Sequence, residues 1–137
     1  MAFQNPSDAT IQAVLATPKT VAVVGCSPSP ERDSHRIARL LQARGHRVIP
    51  VNPGHREILG ETCYASLRDI PEQVEMVDIF RRSEQVAPIV DEAIAVGAKI
   101  VWMQLGVIDE QAAAKAQNAG LTVVMDRCPA IEYRRLF

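Results

Sequence analysis

The sequence predicts an α/β protein: one doubly wound, open sheet of about five parallel strands with helices on both faces. Three observations support this. Five short apolar runs, at 21–24, 47–51, 76–80, 99–103 and 121–125, alternate with helix-like segments. The runs are near-continuously apolar, as strands covered on both faces must be. Right-handed crossovers turn that alternation into an open parallel sheet. The 137 residues fit a single domain with a core of its own, so 1–137 is read as one unit.

Taken in order, Ser7 or Asp8 can cap a helix over 9–16, where Ile11, Val14 and Leu15 form one apolar face before Thr17-Pro18 ends it. The first strand stops at Gly25, a loop with Pro28 and Pro30 follows, and a helix opens near Ser34 and closes at Gly45. The second strand ends at the turn Asn52-Pro53-Gly54. Residues 54–66 show no period and read as loop, and 66–71 as a single helical turn. The third strand is apolar on both sides of Asp78. A helix then starts at Ser83 or Ala87, with Pro88 tolerable only in its first turn, and runs to about Val96. The fourth strand places Trp102 in the core, and Asp109 caps an alanine-rich helix reaching Ala119. The fifth strand leads into Asp126-Arg127-Cys128-Pro129 and a short basic tail. A strand order of 3-2-1-4-5 sets the switch point beside the first strand.

Composition excludes several classes of function. A net charge of -1 removes the footprint of a general nucleic-acid binder, so Arg81-Arg82 and Arg134-Arg135 are local features, the second pair a solvated surface. Three cysteines at wide spacing, without C-x-x-C, argue against a disulfide framework or zinc site and fit a reducing compartment. Residues 1–8 lack a leader pattern and no window is long enough for a membrane span, so a cytoplasmic protein without membrane partners is expected.

In such sheets ligands bind beyond the carboxyl ends of the strands. That rule gathers Gly25-Cys26-Ser27, Val51-Asn52-Pro53, Phe80-Arg81-Arg82-Ser83, Met103-Gln104-Leu105-Gly106 and Arg127-Cys128 into one candidate site. Strand, glycine turn and helix start suit a phosphorylated ligand, because free N–H groups and the positive end of the helix dipole meet there. Arg32, Ser34 and His35 flank that helix start; Ser34 can bind phosphate or act as an N-cap. Of Arg81 and Arg82, one is expected to face the site and one solvent. G-x-G-x-x-G is absent, and Asn52 stands where a ribose-binding acid belongs, both of which count against NAD.

The phrases V-V-G-C-S-P-S-P-E-R-D-S, V-I-P-V-N-P, D-I-F-R-R-S-E, G-A-K-I-V-W-M-Q-L-G-V and V-V-M-D-R-C-P resemble the small stand-alone CoA-binding proteins. These are Rossmann-type domains similar to the CoA-binding part of the succinyl-CoA synthetase alpha subunit. The resemblance implies coenzyme A as ligand, its phosphates over Gly25–Ser27 and its adenosine between the 51–53 and 80–82 segments. Cys26 departs from the small alanine or serine common at that position. Acyl-CoA ligases of this kind also need a phosphorylated histidine in a further domain. Here His35 flanks the loop, His46 is expected to be exposed and structural, and His55 has no assignment. No catalytic triad, carboxylate pair or metal cluster stands out by spacing, so nothing in the sequence requires catalysis. The expectation is a carrier or sensor of CoA or acyl-CoA, monomeric or homodimeric. The alternatives are a thiol-redox protein using Cys26 or Cys128 against the CoA thiol, and an NAD(P)-binding domain.

Overall fold

The computed structural model describes residues 3–137; Met1 and Ala2, which open the stretch read for a leader, lie outside the described residues. In chain order it runs α1 (Asp8–Ala16), β1 (Thr20–Val24), α2 (Asp33–Ala43), β2 (Arg47–Val51), β3 (Glu57–Ile58), β4 (Glu61–Thr62), β5 (Met76–Ile79), α3 (Val86–Ala95), β6 (Ile100–Met103), α4 (Glu110–Asn118), β7 (Thr122–Met125) and α5 (Pro129–Leu136). Two predicted caps form: Ser7 Oγ accepts the Thr10 N–H at 3.3 Å and Asp109 Oδ1 accepts that of Ala112 at 3.0 Å. Each satisfies a donor that the first helical turn would leave open. The turn at 66–71 is a 3-10 turn over Leu67–Asp69.

The five long strands are parallel, in the order β2-β1-β5-β6-β7. This corrects the expected order: the third long strand pairs with the first (Val21 opposite Met76), not with the second. The cause is the segment read as loop. Its β3–β4 hairpin returns the chain along the outer edge of β2, where Tyr64 donates its N–H to Pro50 O and accepts that of Asn52. With that edge covered, only the free side of β1 remains. The switch point lies between β1 and β5, still beside the first strand.

Helices cover both faces, as expected. Ile11, Leu15, Ile37 and Leu41 of α1 and α2, with Tyr133 of α5, pack on Val21, Val23, Trp102 and Val124. On the other face Val90 and Ala93 of α3 and Ala113 and Ala116 of α4 pack on Ala22, Val77, Val101 and Val123. The presumed basic tail is in fact α5. It is locked down where Trp102 Nε1 donates to Arg127 O at 2.8 Å and Arg135 forks onto Asp8 at 2.8 and 2.9 Å. Both Arg134 and Arg135 are exposed, and Arg135 is in addition ion-paired.

His46 is also corrected, being buried beneath α5 at 6% exposure. Its Nδ1 accepts the Lys19 N–H at 3.2 Å, so the proton sits on Nε2, which faces Leu15 O and the Tyr133 hydroxyl. Burial holds this imidazole below its usual pKa.

Asp78, central in β5, is 0% exposed, and neither carboxylate oxygen has a partner among the described residues. Burial pushes its pKa up from 3.8 to about 8. Between those values the unfolded chain releases a proton that the folded chain keeps, so this group costs stability as pH rises from about 4 to about 8. Asp78→Asn is expected to remove that cost. Its stability advantage over the parent in urea should be small at pH 5 and grow by at least ~1 kcal/mol by pH 8. A constant difference across that range would contradict the assignment.

Candidate functional site

The site begins where β1 ends. Gly25 adopts φ +89°, and its N–H donates to Val51 O at 2.8 Å, while the Phe80 N–H donates to Val24 O at 2.8 Å. A Cβ at Gly25 would stand 2.1 Å from Phe80 O, so the turn is pressed against the end of β5 with no room for a side chain. Three further contacts shape the loop. The Ser27 N–H donates to Ser34 Oγ at 2.9 Å, His35 Nδ1 donates to Ser27 O at 2.9 Å, and Asn52 Nδ2 donates to Cys26 O at 2.8 Å.

Ser34 is thus not the N-cap of α2. That position belongs to Arg32, in extended conformation and without a side-chain cap bond. The open N–H groups of the first turn face a cleft of about 770 Å³, whose wall includes Arg32, Asp33 and Ser34. Asp33 is occupied by an ion pair with Arg36.

The cleft collects residues from all five strand ends. Asn52 comes from β2, Gly25 and Ser27 from β1, Phe80, Arg81 and Arg82 from β5, Gln104 from β6 and Cys128 from beyond β7. Both arginines line it, Arg82 being the more exposed. Because β1 lies between β2 and β5, the 51–53 and 80–82 segments clasp the glycine turn from opposite sides.

The remaining candidates fall elsewhere. Cys26 is 0% exposed in the core, its thiol pushed up to about 12 by burial and, secondarily, by the nearby Cys63 and Asp78. Val51 and Met103 are buried, and Val51 serves through its carbonyl. His35 supports the loop from behind, Pro53 is exposed outside the wall, and Arg127 lines a second cavity.

Leu105, part of the fourth strand-end segment, lines the cleft, and His55, Gln85 and Val107 line it without having been singled out. Val107 could have been found, since it follows directly on that strand end. His55 sits in the aperiodic stretch and left no signal. Ser83 Oγ accepts the Ile108 N–H at 2.9 Å and so ties the β6–α4 turn to the end of β5.

Chemically the cleft is a cationic cradle with one polar group to spare. Gln104 is 8% exposed, and its Oε1 is buried with no partner among the described residues. A buried acceptor left unmade costs stability, and a donor on a ligand would remove that cost. Among the described residues, no group of three or more His, Cys, Asp or Glu side chains is arranged to hold a metal ion.

A parallel open sheet with its polar loops gathered at the switch point, over a glycine turn and a free helix start, defines a Rossmann-like ligand-binding domain. The chain belongs to the CoA-binding domain family, whose model matches residues 19–134. It is 40% identical over 126 residues to the uncharacterized protein YneT of Bacillus subtilis, covering 92% of this chain and 93% of that one. A hypothetical protein from Pyrococcus horikoshii superposes with a TM-score of 0.91 at 40% identity, covering 99% of both chains. ADP-forming acetate–CoA ligase I of Archaeoglobus fulgidus is 31% identical over an aligned length of 124, covering 83% of this chain but 18% of that enzyme. The chain therefore spans about a fifth of the ligase that it matches.

Gly25→Ala tests the cradle. A positive φ and a 2.1 Å approach to backbone should together cost about 3 kcal/mol or more. Gly54→Ala, with a similar φ of +90° but nothing within 4 Å, should cost only about 1 kcal/mol. Urea denaturation of the two variants measures the difference, and equal losses would remove the close contact as the cause.

Proposed function

We propose that the cleft binds coenzyme A or an acyl-CoA and that the chain acts as a non-catalytic carrier or sensor of that ligand. The diphosphate sits over the Gly25–Ser27 turn and the first turn of α2. The observation that carries this reading is that the uncapped start of α2, with Arg32 at its N-cap, lines one cleft together with Arg81 and Arg82. A ligand with a diphosphate and a further phosphate on its ribose matches three guanidiniums and a helix dipole better than a dinucleotide with the diphosphate alone. Asn52 has one donor committed to Cys26 O, which leaves its Oδ1 as an acceptor for the adenine amino group. The names of the ADP-forming acetate–CoA ligases agree with a CoA ligand. Asp33 is held by Arg36, and His55 and Cys128 make no hydrogen bond with it or with each other among the described residues, which favours holding over catalysis.

Cys128 favours a second reading. It is half-buried in the cleft wall, where its thiolate could attack a CoA disulfide and release one half as free thiol. Cys26, buried and held near pKa 12, is unsuited to that step. After treatment with CoA disulfide, mass spectrometry would show the adduct at Cys128 alone; an unmodified Cys128 rejects this reading.

Titration calorimetry tests the main reading. CoA should bind, and dephospho-CoA about tenfold more weakly, as expected for one lost charge-assisted contact. Arg81→Ala should weaken CoA by a similar factor. No heat with either ligand would end the proposal, and an Arg81→Ala protein of undiminished affinity would remove Arg81 from the cradle.

A further inference from the structure

The groove continues past Cys128. Leu105, on the turn after β6, and Cys128, at the start of α5, line both the main cleft and a second cavity of about 360 Å³. The charged groups of that cavity are largely committed to one another. Arg135 binds Asp8 at 2.8 and 2.9 Å and Glu132 at 2.7 Å, and Asp126 Oδ1 accepts the Gly106 N–H at 2.7 Å. Arg127 donates to Asp126 O at 3.1 Å and stands 3.9 Å from Glu132. Beside these exposed but mutually paired charges, two apolar side chains stand open to the cavity: Leu105 is 56% exposed and Ile131 41%. Asp8, Asp126 and Glu132 outnumber Arg127 and Arg135 by one charge, so the cavity repels a carboxylate.

The sheet sets how far along the groove a ligand must reach. From Gly25 at the end of β1 to Cys128 beyond β7, the path crosses β5 and β6. Three inter-strand steps of about 4.8 Å make roughly 14 Å. The pantetheine arm has about a dozen bonds between diphosphate and sulfur, or roughly 15 Å when extended. A CoA seated by its diphosphate on the glycine turn therefore brings its sulfur to Leu105 and Cys128, and whatever the sulfur carries enters the second cavity.

We infer that the second cavity is an acyl subsite and that the ligand is the thioester of an uncharged, short-to-medium acyl chain, an inference that rests on the CoA reading above. Calorimetry with CoA, hexanoyl-CoA and succinyl-CoA tests it. Hexanoyl-CoA should bind at least tenfold tighter than CoA, and succinyl-CoA no tighter than CoA. Ile131→Asp places a carboxylate in the first turn of α5, where a helix accepts one readily. It should bring hexanoyl-CoA down to the affinity of CoA and leave CoA itself unchanged. Equal binding of CoA and hexanoyl-CoA, tightest binding of succinyl-CoA, or an Ile131→Asp protein that keeps the preference would each overturn the subsite while the CoA reading stands. Failure of every ligand to bind would overturn both.

Discussion

At the switch point Gly25 and Phe80 lie so close that a methyl group on the glycine would stand 2.1 Å from the Phe80 carbonyl oxygen. This contact is possible only because β1 is hydrogen-bonded on both flanks up to its last residue, to β2 through Gly25 and to β5 through Phe80. The turn is thus set by backbone that belongs to the sheet. Ser34, His35 and Asn52 then hold the next two residues, Cys26 and Ser27, without using the arginines of the cleft. On the proposed reading, a phosphate arriving there meets a turn whose shape is already fixed, beside Arg32, Arg81 and Arg82 in the cleft wall. Preorganisation of this kind lowers the ordering cost of binding.

The floor beneath the turn is kept uncharged. Asp78 and Cys26 are both fully buried on the side of the sheet covered by α1, α2 and α5, and each disfavours ionisation at neutral pH through desolvation. An ionised Asp78 would place a negative charge in low dielectric under the proposed phosphate site, where the repulsion is poorly screened. Its carboxyl is tolerated in the central strand because it stays protonated. The unpaired acid that costs stability does not cost the cradle its positive field.

The elements that were legible in the sequence are those with a full period or a cap. The second strand agrees at both ends, and Ser7 and Asp109 mark their helices correctly. The strand order was also written in the chain, at Pro50. A proline has no N–H for a ladder, which confines it to an edge strand, and the order 3-2-1-4-5 would have made the second strand interior. The two-residue strands of the hairpin are too short to show alternation, so the covering of β2 could not be anticipated. His46 was misjudged because its burial depends on α5, a non-local contact that no window around residue 46 contains. The site was legible to the level of loops, because a parallel sheet brings its strand ends together whatever their side chains. It was not legible to the level of faces: Cys26 and Met103 occupy the right segments but point into the two opposite cores.

The charges along the groove run in one direction. Arg32, Arg81 and Arg82 stand at the end beside the glycine turn, and an excess of carboxylate stands at the end beyond Cys128. A long ligand with phosphates at one end and an uncharged tail gains at both places in one orientation and loses at both in the other. The reversed pose would bring several phosphate charges toward Asp8, Asp126 and Glu132 while leaving three guanidiniums facing an apolar chain. At a few ångströms each such contact is worth about 1 kcal/mol in water and several times more where the wall excludes it. On the proposed CoA reading, the polarity of binding follows from the placement of charge along the groove, and it requires no contact that reads the ligand atom by atom.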